Sequence, residues 1–148
     1  ELAEEKYEDA SDDIQALIEV GEAEGIIEEK ERFLIETMIE FSDTTIDEIM
    51  TPRTEIVALP IESTVKAARD LIIEEKYSRI PVFRENIDNI EGVIYVRDLL
   101  NAWAEDRENQ TIETLLRPAF FVPETKSAAE LLKDMQISHV QVAIVIDE

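Results

Sequence analysis

One stretch of eight residues occurs twice in this chain, and that repetition limits its fold more than any other feature. Thr45-Ile46-Asp47-Glu48-Ile49-Met50-Thr51-Pro52 returns as Thr111-Ile112-Glu113-Thr114-Leu115-Leu116-Arg117-Pro118, at an offset of 66. Further matches follow in the same order. The apolar run that ends at Pro60 is answered by Phe120-Phe121-Val122-Pro123, and Ile80-Pro81-Val82-Phe83 by Val142-Ala143-Ile144-Val145. By then the offset has shrunk to about 62, as a shorter loop and helix would require. A period of this size is an internal duplication. Each copy presents an apolar sheet face, so the two copies are expected to bury those faces together.

Within one copy the elements read βαββα. Thr45 with Glu48 fits a capping box, and the helical turn that follows ends at Thr51-Pro52, because the residue before proline is pushed to extended geometry. Ile56 to Pro60 is a predicted strand. Ser63 or Thr64 can cap the next helix, whose Val65, Ala68, Leu71 and Ile72 share one face. Ile80 to Phe83 is a second strand, Arg84 to Glu91 a polar turn, and Gly92 to Val96 a third, β-branched and aromatic strand. It runs into a helix that opens at Asp98-Leu99-Leu100 and continues through Trp103. A polar linker, Glu105 to Gln110, closes the copy. In the second copy Ser127, Ala128, Leu131, Leu132 and Met135 form the helix. That copy reaches Asp147-Glu148 without a counterpart of Gly92 to Leu100, so it is expected to be truncated. A chain that opens without Met reads as an excised piece.

Before the repeats lies an acidic segment. Residues 1–40 hold 15 acidic and 3 basic side chains, over half of the net charge of −22. Ile14, Leu17 and Ile18 lie at helical spacing, Gly21 and Gly25 interrupt it, and Ile26, Ile27, Phe33, Leu34, Met38 and Ile39 resume it. This predicts a helical hairpin or bent helix that packs through one face. The spacing from Val20 to Glu31 imitates a calcium loop, but Val20 at the first ligand place has no side-chain oxygen, so a glycine-containing turn is expected. Charge of this sign excludes an unaided grip on nucleic acid or on an anionic membrane surface. No apolar run is long enough to span a bilayer.

Chemistry concentrates where the third strand becomes a helix. Such a junction puts unpaired backbone N–H groups and the positive end of a helix dipole at one point. Asp98 stands there with two acceptor oxygens, a group that commonly holds ribose hydroxyls, and Arg79 brings a planar fork suited to phosphate. With no cysteine and a single histidine, His139, thiolate metal sites and cysteine nucleophiles are excluded, and no motif fixes an acid/base pair. The chain is therefore expected not to be an enzyme, with no catalytic residues and no metal site of its own.

The duplication, Met50-Thr51-Pro52-Arg53, Ser78-Arg79-Ile80-Pro81-Val82 and Gly92…Asp98-Leu99-Leu100 together resemble a tandem CBS-domain pair, a Bateman module. More narrowly, Glu19…Gly25-Ile26-Ile27-Glu28-Glu29, then Asp47 to Thr54, then Val142 to Glu148 are similar to the cytosolic part of hemolysin-C-like, CorC-type membrane proteins, linked with magnesium and cobalt transport or efflux. The resemblance implies an α+β fold: an acidic helical segment over 1–44 leading from a membrane domain of the same parent chain, a first CBS domain over 45–110, and an incomplete second over 111–148. It implies a regulatory module at the cytoplasmic face of the membrane, binding an adenine nucleotide (ATP or AMP, with Mg²⁺), without a redox cofactor and without nucleic acid. It also implies a disc-like homodimer of two pairs; a ligand-free dimerisation module is the alternative. Carried over, Asp98 holds the ribose, Gly92 and Ile94 wall the cleft, Ser78, Arg79 and Pro81 border it, and Thr51, Pro52 and Arg53 line its opening. Tyr95 departs from the family pattern, standing where Thr or Ser is common; it is bulkier, yet able to donate a hydrogen bond or stack on a base.

Overall fold

A computed structural model describes the backbone of residues 2–147 and the side chains of residues 12–147. Glu1 and Glu148, the last residue of the run from Val142, lie outside the described residues. Backbone contacts divide the chain into two compact units, residues 1–49 with 125–134 and residues 50–124 with 135–148.

The first unit begins with α1 (Leu2–Ala23) and α2 (Glu29–Asp43), joined by a turn in which Gly25 takes a φ of +75°. Glycine accepts that left-handed geometry without a Cβ clash, which is why the helical pattern breaks there. Gln15 Nε2 donates to Glu36 Oε1 at 2.7 Å, and Arg32 pairs with Glu22 and Glu36, so polar contacts tie the hairpin. Ile18 is buried, but Leu17, Phe33, Leu34 and Met38 are exposed. The face expected to pack is thus largely open. Half of the predicted box forms: Thr45 N–H donates to Glu48 Oε2 at 2.8 Å ahead of α3 (Ile46–Ile49), while the Thr45 hydroxyl turns to Asp47 and Glu48 N–H donates to the Thr45 carbonyl. Thr45 also bridges to Ser127, and Ala128 N–H donates to Thr44 O at 2.8 Å.

In the second unit β1 (Leu59–Pro60) pairs in parallel with β2 (Arg79–Phe83), which pairs antiparallel with β3 (Ile90–Tyr95). The sequence predicts a first strand from Ile56. Instead Arg53–Glu55 forms a 3₁₀ turn and only the last two residues pair, where Leu59 meets Val82. The short β1 explains Pro81. It reaches only Val82 and Phe83, so Pro81, which lacks an N–H, sits where β2 has a neighbour on one side alone. α4 (Val65–Glu75) starts at Thr64, whose Oγ1 accepts from Ala67 N–H at 3.1 Å. Together with α5 (Val96–Ala104) it covers the sheet: Leu59, Val65, Ala68, Ile80, Val82, Ile94, Leu99 and Ile112 form the buried core. Strand alternation places Ile80 and Val82 inside and leaves Arg79, Pro81 and Phe83 half-buried on the other face.

The duplication is visible in the strand pairing. β4 (Phe121–Pro123) pairs in parallel with β5 (Ile144–Ile146), Val122 opposite Val145, at the same sequence separation as Leu59 and Val82. β5 begins two residues later than Val142, where the sequence places it. α6 (Ala128–Ser138) lies between the two strands, as α4 does between β1 and β2. One element that both copies contain differs in type. Ile112–Leu115 is a 3₁₀ turn where the first copy has a short α-helix, and the reason is local. The acid of the capping box, Glu48, is replaced by Thr114, whose hydroxyl donates to Thr111 O at 3.3 Å instead of receiving the N–H.

Candidate functional site

The β2–β3 hairpin has a turn end, at Arg84 to Asn89, and an open end, where Arg79 lies opposite Tyr95. β3 passes into α5 without a break. Val96 N–H donates to Ser78 O at 3.0 Å, which holds the helix start beside the first residues of β2. Tyr95 occupies the cap position but offers no side-chain cap bond to the first turn. Asp98 lies in that turn, where the helix dipole favours a carboxylate.

The second copy supplies the partner of Asp98. Arg117 Nε donates to Oδ2 at 2.7 Å and Nη2 to Oδ1 at 3.1 Å, a two-pronged pair. The Arg117 backbone is pinned as well. Val93 N–H donates to Arg117 O at 2.9 Å, and Arg117 N–H to Val93 O at 3.0 Å, so the residue extends the edge of β3. Gly92 makes this approach possible: a Cβ built there would stand 2.5 Å from Arg117 O and 2.6 Å from Leu116 Cγ.

Two cations share one ring. The Arg117 guanidinium carbon lies 4.6 Å from the centroid of Tyr95 and that of Arg79 5.3 Å from it. Arg79 also donates to Gln141 Oε1, while its buried Nε has no hydrogen-bond partner among the described residues. Asp98, Arg117, Tyr95, Arg79 and Gln141 therefore form one cluster, rich in donors, in a chain where acids outnumber bases 36 to 14.

The hydrogen bonds from Arg117 hold the Asp98 carboxyl below its usual range, helped by the charges of Arg117 and Arg97 and opposed by burial. A carboxylate whose folded-state value is depressed adds stability above its unfolded value, and that stability is lost as pH falls through the folded one. The gap in urea stability between the unaltered chain and Asp98→Asn is expected to be widest near neutral pH and to close in acid. A gap that stays constant into acid would reject the pairing.

Of the residues singled out from the sequence, the structure brings Asp98, Tyr95, Arg79 and Ser78 to one end of the hairpin. Pro81 lies two positions further along β2, opposite Val93. Gly92 and Ile94, expected as walls of the cleft, are both buried. Ile94 is fully buried in the core, because strand alternation turns it away from the face that carries Tyr95, and Gly92 is covered by Arg117 and Leu116. Thr51 and Pro52 are exposed just before the 3₁₀ turn. Arg53 pairs at 3.0 Å with Asp88 in the hairpin turn, at the end away from Asp98. Sequence reasoning missed Arg117 and Gln141. The signal was present for the first: Arg117 is the repeat counterpart of Thr51, and the position that flanks Asp98 belongs to the other copy.

Among the described residues no three acidic or histidine side chains gather as a metal site, and no helix is long and apolar enough to cross a membrane.

Residues 46–105 match the CBS domain family. The chain is 35% identical over 137 residues to the magnesium and cobalt efflux protein CorC of Escherichia coli K12, covering 93% of this chain and 47% of that protein. It spans from about a fifth to about a half of the length of the curated relatives it matches. Among solved structures, the CBS domain of the bacterial CNNM/CorC family Mg²⁺ transporter is similar with a TM-score of 0.85 and 37% identity, over 93% of this chain and 84% of that one. A structure of that family's CBS domain in complex with ATP is similar with a TM-score of 0.77 and 41% identity, over 80% of this chain and 84% of that one.

Proposed function

Since this chain belongs to the CBS-domain family, among the CBS domains of the bacterial CNNM/CorC family, we propose that it is a regulatory module that binds an adenine nucleotide at Asp98 and is not a catalyst. The observation that carries this reading is the cluster at the open end of the hairpin. Asp98 offers two carboxylate oxygens to a ribose diol, Tyr95 offers a ring face and a hydroxyl, and Arg79 and Arg117 offer guanidinium forks to phosphate. The residues fit the ligand by chemistry. The similar domain in complex with ATP supports the same ligand here, and Mg²⁺ would arrive on its phosphates. In the parent protein the module regulates a membrane domain that transports divalent cations, from the cytoplasmic face. Nucleotide can act there only through its differential affinity for two arrangements.

A second feature supports a homodimer. A groove of about 250 Å³ between α4 and α5 is walled by Ile72, Ile73, Leu99, Leu100 and Trp103. Arg69 lies 3.9 Å from the Trp103 ring centroid at its rim. Ile73 and Leu100 are mostly exposed, which suits a face covered by a second copy.

Titration calorimetry of the chain with ATP, AMP and adenosine, each with and without Mg²⁺, tests the first reading. Binding of ATP is expected, and at a hundredfold excess over Kd it stabilises the fold by about 2.7 kcal/mol, a rise of several degrees in Tm. Absence of binding by every adenine compound at millimolar concentration would overturn it. A tight dimer in sedimentation, unmoved by nucleotide, would then leave assembly as the role.

A further inference from the structure

We infer that Arg117 is an internal occupant of the nucleotide site: it holds Asp98 while the site is free and exchanges that partner for phosphate when the ribose arrives. The inference rests on the reading of Asp98 as the ribose anchor. Both prongs of the guanidinium lie on the two oxygens that a ribose diol would take. The diol and Arg117 therefore compete for one carboxylate. The displaced guanidinium is not stranded. Its backbone is fixed to Val93 by two hydrogen bonds, and its side chain is 41% exposed and already lies over Tyr95, the ring that Arg79 also approaches. A phosphate bound near that ring would meet two cations, one of them the cation just released. Arg79 is prepared for such a ligand: its Nη2 is matched only to the neutral Gln141 and its buried Nε donates to no described group.

The exchange makes the site selective for phosphorylated ligands. Adenosine must break the Asp98–Arg117 pair and offers Arg117 no new partner, whereas ATP breaks it and re-employs Arg117. Removing the guanidinium should therefore move the two affinities in opposite directions, which a merely structural arginine would not do.

Arg117→Gln, titrated with adenosine and with ATP, is the experiment. Adenosine is expected to bind about two- to fivefold tighter than to the unaltered chain, the range of a partly exposed ion pair. ATP is expected to bind about tenfold weaker or worse, as loss of a charge-assisted contact implies. Equal weakening of both ligands, or no change in either, would overturn the exchange while leaving the nucleotide reading intact. Failure of every adenine compound to bind the unaltered chain would overturn both. The Arg117 Nε–H resonance in the unaltered chain gives a second readout that needs no variant. It should move from its Asp98-bound position on addition of adenosine and to a different, phosphate-bound position on addition of ATP. A resonance unmoved by bound ATP would also overturn the proposal.

Discussion

Gly92→Ala is expected to cost about 1–3 kcal/mol of stability, the usual range for overpacking a closed position. The backbone at Gly92 does not need glycine for its φ; the requirement comes from its neighbours. The added methyl would stand 2.5 Å from Arg117 O, a backbone atom that cannot rotate aside. Relief requires moving the Arg117 segment off β3, which loosens two backbone hydrogen bonds of 2.9 and 3.0 Å. Leu116 is caught in the same clash and packs against the core, so the disturbance reaches Ile112 and its neighbours. Thermal unfolding should show a drop in Tm of roughly 2–4 °C for each kcal/mol lost. Because the shift carries Arg117 away from Asp98, ATP affinity should fall as well. A Tm within a degree of the unaltered chain would mean that the close approach is not as described.

Asp98→Ala should separate binding from stability. Hydrogen bonds to a charged group are worth about 1.5–3 kcal/mol, so loss of the ribose anchor is expected to weaken ATP about ten- to a hundredfold and to remove adenosine binding within the range of calorimetry. The fold should lose only the modest, pH-dependent contribution of the Asp98–Arg117 pair. The Arg117 side chain is 41% exposed and can hydrate when its partner is removed, and Asp98 contributes nothing to the apolar core. Tm at neutral pH should therefore fall by a few degrees at most, the contribution of that pair, while the nucleotide-induced rise in Tm disappears. An unchanged ATP affinity would remove Asp98 from the site and, with it, the proposed function.

These two substitutions lie six residues apart and are expected to act on different properties. Gly92 affects whether the second copy can reach the first copy's sheet, and Asp98 affects what the resulting cluster can hold. The difference was partly legible beforehand. An aspartate in the first turn after a strand announces itself, because the junction and its dipole are made by adjacent residues. Gly92 is more ambiguous: nothing beside it in the chain tells whether it lines a cleft or admits another backbone.

What the sequence determined by itself was local or periodic. The eight-residue repeat, the Glu48 side of the Thr45 box, the Thr64 cap and the alternation of Arg79 to Phe83 all appear in the structure, since each depends on residues a few positions apart. The change from Glu48 to Thr114 was likewise written in the chain, and it accounts for the 3₁₀ turn in the second copy. Tertiary structure decided the rest. It placed Arg117 rather than Thr51 beside Asp98, drew Arg53 to the hairpin turn and shortened β1 to two residues. These outcomes depend on which of two equivalent segments pairs with an open strand edge. That competition is settled by the meeting of surfaces distant in the chain, and hydrophobic periodicity carries no information about it.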